Sequence, residues 1–232
     1  MSHQLILSAQ LLCFLFIVSC NQATPPIVVD ECQLPEQYRV SENLIPLDAK
    51  NCLIPLQIEA THLETSILLQ DFSREQEEKI QAAIARLKLV INSKEFKKRV
   101  LNFQYENMYV FVDNQGLSNE EIYEKIREGV EVLNNEFDQE IDLDATLYYS
   151  SNSTVGYTYP NTHRIWINNK FFATNSLSKV AANLMHEWLH KIGFGHDKQR
   201  TMRRAYSVPY GIGGIVRDLI EEMTPTLVES RL

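Results

Sequence analysis

The segment 186–196 constrains the fold of this chain more than any other, because it holds three of the six histidines within eleven residues. The preceding residues, Leu177–Met185, favour an α-helix that continues into this segment. Positions four apart on a helix differ by about 40° around its axis, so His186 and His190 project from one face. The same geometry puts Lys179, Ala182 and Asn183 on the histidine side, and it puts apolar residues opposite: Leu177, Ala181, Leu184, Trp188 and Ile192.

Gly193 suits the left-handed backbone conformation that ends a helix, so the chain can reverse and bring His196 to the same metal ion as the first two histidines. Three neutral imidazoles leave a fourth position on Zn²⁺ open for water, which is typical of catalytic zinc. Glu187 can then act as general base toward that water and pass the proton to a leaving amine. Zinc is predicted from the ligand type and geometry, although imidazole also suits other transition metals.

The pattern His-Glu-x-x-His-x-x-Gly-x-x-His, complete over residues 186–196, is similar to the signature of the metzincin zinc peptidases. The resemblance implies an α/β (α+β) zincin-like fold. Its twisted, mostly parallel sheet would have an antiparallel edge strand, packed helices, an active-site helix and a small C-terminal subdomain. It also implies a zinc-dependent metalloendopeptidase that hydrolyses peptide bonds, with Val155–Tyr159 as the edge strand along which a substrate pairs.

One feature departs from the metzincin pattern. Metzincins carry a methionine-containing turn after the third ligand, whereas the counterpart here, Ser207–Tyr210, contains no methionine. Met202 and Met223 do not fit that pattern either. Pro209 could form an equivalent turn, and Tyr210 is either a residue near the metal or an ordinary core tyrosine.

A second function belongs to another class: a catalytically silent zinc-binding lipoprotein that uses the peptidase fold as a binding module. The missing methionine turn favours this binding function. Glu187 favours the enzyme, since a protein that has lost catalytic activity needs no general base. Hydrolysis of amide bonds in cell-wall peptides is a close variant of the first function. The net charge of −8 and the absence of a basic patch argue against a nucleic-acid partner. A peptide or protein substrate is what the resemblance to metzincins implies.

Residues 1–20 contain no charged side chain except a histidine and include an apolar run, which is typical of a secretory signal. Ile17–Cys20 resembles a bacterial lipobox, in which Cys20 becomes lipid-modified, although the first residues lack the usual Lys or Arg. An ordinary cleaved signal is the alternative. The sequence thus predicts an exported monomer anchored in the bacterial cell envelope, at the outer membrane and facing the periplasm or the exterior.

Two cysteines remain in the mature chain, and in an exported protein Cys32 and Cys52 most simply form one disulfide. We interpret residues 21–72 as a tether and N-terminal extension, and residues 73–232 as the catalytic domain. Ser73 and Gln76 form a capping-box pattern for the first helix of that domain.

Hydrophobic periodicity predicts the remaining elements of the domain. Helices are expected over Lys94–Phe103 and over Ile212–Met223. A further helix is expected to begin at Ser118, with one apolar face formed by Ile122, Ile126, Val130 and Leu133. Strands are expected at Met108–Val112, Ala145–Tyr149, Val155–Tyr159 and Arg164–Asn168.

Overall fold

The computed structural model describes residues 56–59, 62–159 and 161–223, all within one compact unit. The described chain contains four strands: β1 (Glu64–Gln70), β2 (Glu140–Tyr148), β3 (Gly156–Thr158) and β4 (Arg164–Asn168). It contains six α-helices: α1 (Arg74–Ile91), α2 (Lys94–Leu101), α3 (Asn119–Glu128), α4 (Asn169–Thr174), α5 (Leu177–Lys191) and α6 (Val208–Met223). A short 3-10 helix spans Arg203–Tyr206.

The four strands form one mixed sheet in the order β1-β2-β4-β3. β1 pairs with β2 and β2 pairs with β4 in parallel, whereas β3 pairs with β4 antiparallel and lies at the edge. The prediction of an α/β fold with a mostly parallel sheet and an antiparallel edge strand is therefore confirmed. Arg164–Asn168 has the predicted bounds, and the strand predicted at Val155–Tyr159 is shorter, at three residues.

Helix starts follow the local capping chemistry that the sequence contains. The Ser73 side chain accepts from the backbone N–H of Gln76, whose side chain accepts from the N–H of Ser73 in return. Ser118 and Glu121 form the same reciprocal pair at α3. Both predicted helices therefore begin where the sequence places them.

The face predicted for α3 is wrong in its second half. Gly129 adopts a left-handed conformation with φ 73° and ends the helix directly after Glu128. Val130 and Leu133 consequently lie beyond the helix, and Leu133 is 45% exposed. A glycine at this position stops the helix although the apolar period continues past it.

The strand predicted at Met108–Val112 is also wrong. This segment makes only isolated bridges, between Tyr105 and Met108 and between Val112 and Ser207. Met108 and Tyr109 are exposed, whereas Phe111 and Val112 are buried, and Phe111 stacks on Phe103 with ring centroids 4.0 Å apart. An apolar run without a neighbouring strand to supply ladder hydrogen bonds does not become a sheet element.

β1 lies within the region that the sequence analysis assigned to the N-terminal extension. Its register with β2 runs from Glu64 opposite Glu140 to Gln70 opposite Thr146. β1 is an edge strand with Ile67 and Leu68 about half exposed, so its sequence lacks the buried alternation that reveals a strand. The sheet thus begins before residue 73, the predicted domain boundary.

α5 is the helix around which the core is organised. It packs against α6 and α1, and its apolar face is buried as predicted, with Ala181, Leu184, Trp188 and Ile192 at most 1% exposed. The opposite face carries the histidines. Among the described residues no helix is long and apolar enough to cross a membrane. The predicted signal segment, Cys20, Cys32 and Cys52 lie outside the described residues.

Two glycines with positive φ provide a matched test of this packing. A Cβ on Gly129 would lie 2.7 Å from the backbone N and O of Glu140, whereas a Cβ on Gly116 would meet no described atom within 4 Å. We expect Gly116→Ala to lower the free energy of unfolding by about 1 kcal/mol, the cost of the left-handed conformation alone. Gly129→Ala should cost about 2 kcal/mol more, because strand β2 has to shift. Urea denaturation of both variants measures the difference, and equal losses would contradict this packing.

Candidate metal centre

The three predicted histidines converge at one point of the structure. Ligand atoms of His186, His190 and His196 all lie within 4.8 Å of one another. The Nε2 atoms of His186 and His196 are 3.3 Å apart, and the ring centroids of the three pairs are separated by 4.9 to 5.1 Å. The three imidazoles are therefore close enough to hold a metal ion.

The reversal that delivers His196 follows the predicted route. α5 ends at Lys191, and Gly193 adopts φ 100°, a backbone conformation that side chains rarely allow. Phe194 is buried and donates its backbone N–H to the Leu189 carbonyl over 3.0 Å, which fixes the turn against the core. The next residues then carry His196 back toward α5.

Hydrogen bonds fix the tautomers of two of these imidazoles. His190 Nδ1 lies 2.7 Å from the carbonyl oxygen of Phe194, and His196 Nδ1 lies 3.0 Å from that of Asp197. A ring nitrogen that faces a carbonyl must carry the proton, so the Nε2 atoms of both rings are unprotonated in the neutral form. The Nε2 of His196 lies 3.3 Å from the Nε2 of His186, so its lone pair points into the cluster, and the donor set fits a metal ion.

The charge state of the cluster also fits. Burial lowers the pKa of His186 well below its usual value, with His190, His196 and Arg204 adding to the effect. Burial also lowers the pKa values of His190 and His196, and the charge of Arg204 contributes in both cases. Burial and the positive charge of Arg204 thus favour the neutral imidazole, which is the form that binds metals.

Glu187 lies in the same cleft and is 4% exposed. Burial raises the pKa of its carboxyl to about 8, although Asn183 Nδ2 donates to Oε1 over 3.3 Å and opposes that rise. Asn183 packs closely against the edge strand, since a Cβ on Gly156 would lie only 2.6 Å from Asn183 Oδ1. The residues predicted to share the histidine face, Lys179, Ala182 and Asn183, all line the cleft.

Tyr210 lies against the histidine cluster rather than in the core, which resolves the two interpretations of this residue. Its ring centroid is 4.4 Å from that of His186 and 4.8 Å from that of His196, and the residue is 37% exposed. The segment Ser207–Tyr210 forms the start of α6 rather than a separate turn, because α6 begins at Val208. Proline is well suited to the first turn of a helix, where Pro209 lies.

Neither methionine near this segment occupies the place expected from the metzincin pattern. Met202 is 89% exposed, and Met223 is buried at the far end of α6. Gly213 packs next to the histidines instead, since a Cβ there would lie 3.1 Å from the Ala182 carbonyl oxygen and 3.7 Å from His186 Cβ. α6 therefore approaches α5 closely at the first histidine.

The cleft has a volume of about 970 Å³. It is bounded by residues 153–158 with the edge strand β3, by the histidine face of α5, by the segment 198–205 and by α6. His62, which lies 3.3 Å from Glu64, and His163 are not part of the histidine cluster. Sequence reasoning missed Arg204, which lines the cleft beside Tyr210, because no motif or spacing distinguishes it from other arginines.

No family model, curated protein or solved structure matches this chain. The chemistry of the site is therefore argued from its own geometry.

A buried ion pair anchors the C-terminal half of α5 beneath the histidines. Lys191 Nζ lies 3.1 Å from Glu131 Oε2, and both side chains are 2% exposed. Trp188 Nε1 donates to Glu131 Oε1 over 2.6 Å, and Lys191 also donates to the Asp142 carbonyl over 2.7 Å. This network ties the histidine helix to the loop after α3 and to β2.

The network predicts strong coupling between its two charges. Glu131→Gln keeps an acceptor for Trp188 but leaves the ammonium of Lys191 buried without a counter-charge, which should cost about 3 kcal/mol of unfolding free energy. Lys191→Met should cost a similar amount by isolating the carboxylate. The double variant should lose less than either single variant, because no unpaired charge remains. Urea denaturation of the unmodified protein, the two single variants and the double variant measures these four free energies of unfolding. If the two single losses add up in the double variant, the coupling is refuted.

Proposed function

We propose that this protein is a zinc-dependent metallopeptidase with a zincin-like, metzincin-type site, which hydrolyses peptide bonds. The observation that carries the proposal is the convergence of His186, His190 and His196 with the carboxylate of Glu187 in one cleft. Three imidazoles beside a buried carboxylate match the donor set and the base of a catalytic rather than a structural zinc site.

His186, His190 and His196 would hold Zn²⁺ through ring nitrogens that converge on one point. When bound there, Zn²⁺ would polarise a substrate carbonyl and lower the pKa of a water molecule. Imidazole ligands and an open fourth position favour zinc over the hard cations calcium and magnesium. The described cluster contains no fourth side-chain ligand, so a position remains for water.

Glu187 is the general base of the proposed reaction. Glu187 follows the first histidine on α5 and lines the cleft. A cation held by the histidines would favour the ionised form of its buried carboxyl, which can then take a proton from water and return it to the leaving amine. Asn183 positions this carboxylate through the hydrogen bond to Oε1, and the backbone of Gly156 limits the space available to Asn183. The base is thus positioned from within α5, and the edge strand packs against the residue that positions it.

The edge strand provides a way to bind an extended peptide. Within the described part of the chain, β3 pairs with β4 on one side only, and its residues Gly156–Thr158 line the cleft. An extended substrate can add to the free side of β3 by backbone hydrogen bonds, which recognises the peptide irrespective of its side chains. The substrate would then run past the histidine cluster with its scissile bond near Glu187.

The alternative is a catalytically silent zinc-binding lipoprotein. A binding module requires the histidines but not a carboxylate buried beside them, and burying such a group without function costs free energy. Glu187 therefore favours the enzyme. Export, lipid attachment at Cys20 and a Cys32–Cys52 disulfide remain predictions from the sequence and belong to this proposal.

Two substitutions separate metal binding from catalysis. Glu187→Gln should keep about one zinc per chain and lower kcat/KM on a mixed peptide library by at least about 100-fold, because it removes only the base. His190→Ala should lose zinc and hydrolysis together. Metal content by mass spectrometry and cleavage by peptide mass mapping measure both quantities.

His163→Ala serves as the matched control, since this histidine lies outside the cluster, and it should change neither quantity. Zinc binding without cleavage by the unmodified protein would support the silent binding module instead. Unimpaired cleavage by Glu187→Gln would eliminate Glu187 as the base.

A further inference from the structure

The cleft around the histidines is lined by basic side chains in a protein whose net charge is −8. Among the described residues, Glu187 is the one acidic residue of the lining, and it is buried. The basic residues of the lining are Lys179, Lys198, Arg200, Arg204 and Arg217. The charge of this cleft is thus opposite in sign to that of the whole chain.

Most of these cations lack a partner of opposite charge. Arg217 pairs with Asp218 over 2.7 Å. Lys179, Lys198, Arg200 and Arg204 form no ion pair with any carboxylate of the described chain. A concave site lined by charges of one sign concentrates the opposite sign in a ligand, because its walls focus the field.

Direct contacts place Arg204 next to the histidine cluster. Its guanidinium carbon lies 4.7 Å from the centroid of the Tyr210 ring, and that ring lies against His186 and His196. Nη1 donates to the Lys198 carbonyl over 3.2 Å, and Nη2 donates to the Tyr210 hydroxyl. The stacking and both hydrogen bonds hold the guanidinium in place before any ligand binds.

Arg204 retains donors that these contacts do not use. A guanidinium has five N–H donors, and within the described residues two hydrogen bonds are formed, one from each Nη atom. Its Nε is buried away from the cleft surface, so the donors left for a ligand are the second N–H groups of Nη1 and Nη2. A fixed, planar fork with free donors is suited to a carboxylate, which accepts two parallel N–H bonds from it.

We propose that the cleft selects peptides that carry a carboxylate close to the scissile bond, and that Arg204 binds this carboxylate. The proposal deepens the peptidase function and rests on it. Lys198 and Arg200, which are exposed beside Arg204, add attraction that acts over a longer range and that salt screens. The carboxylate is either the side chain of a substrate Asp or Glu or the C-terminus of the peptide.

Peptide pairs that differ only in Glu or Gln at one position test the proposal, each made with a free and with an amidated C-terminus. The unmodified zinc-loaded protein should hydrolyse the preferred carboxylate-bearing peptide with a kcat/KM at least about tenfold above that of its neutral match, the usual effect of a charge-assisted hydrogen bond. A preference for Glu that persists in the amidated pairs assigns the side chain. A preference for the free C-terminus irrespective of Glu assigns the terminus.

Arg204→Gln should bring the ratio of kcat/KM values for the carboxylate-bearing and neutral peptides close to one. Arg204→Lys should restore part of that ratio, because the charge returns without the planar guanidinium. Arg203→Gln is the matched control. Arg203 lies in the same 3-10 helix, is paired with Asp113 over 3.6 Å and does not line the cleft, so its loss should leave the preference intact. A ratio of rates does not depend on the fraction of protein that is folded.

Failure of this inference and failure of the peptidase function give different results. Equal hydrolysis of the Glu and Gln peptides together with equal hydrolysis of the free and amidated peptides would overturn the inference and leave the peptidase intact. A preference that Arg204→Gln leaves unchanged would do the same. If no peptide is hydrolysed, fluorescence anisotropy measures binding of the same labelled peptides to the unmodified protein. Tighter binding of the carboxylate-bearing peptide, lost in Arg204→Gln, would support the inference without hydrolysis, and equal binding would overturn it.

Discussion

The reversal of the chain after α5 is the constraint on which the site depends. A third histidine that follows the second by only six residues can reach the same point only if the helix stops and the chain returns. Gly193 permits the return with φ 100°, and buried Phe194 fixes it against the core. The Phe194 carbonyl also receives His190 Nδ1, so the residue that holds the turn orients a ligand as well. The rest of the fold holds α5 in place through Trp188 and the buried Lys191–Glu131 pair.

The parts of the site that the sequence predicts are those determined by local geometry. Helical spacing places His186, His190 and Asn183 on one face, and a glycine after the last turn predicts the reversal. Capping pairs predict where α1 and α3 begin, because their hydrogen bonds join residues three positions apart. Each of these features depends on a few neighbouring residues, so one sequence is sufficient to infer it.

The features that the sequence does not predict depend on residues distant along the chain. β1 becomes a strand through its pairing with β2, in which Glu64 lies opposite Glu140, some 76 positions later in the chain. Its half-exposed apolar residues do not show the alternation by which a strand is recognised in a sequence. Arg204 becomes significant only because the start of α6 brings Tyr210 against the histidines, which places a stacked guanidinium in the cleft. Local periodicity carries no information about such contacts. The charge of the cleft likewise emerges from segments that are separated in sequence.

The central claim is that the three histidines are the protein ligands of one zinc ion. X-ray absorption spectroscopy at the zinc edge, on protein loaded with one equivalent of zinc, tests it most directly. The account predicts three imidazole nitrogens at about 2.0 Å with a light fourth ligand, and one imidazole fewer in His196→Ala. Sulfur ligation, an oxygen-only shell, or a spectrum unchanged by His196→Ala would contradict it.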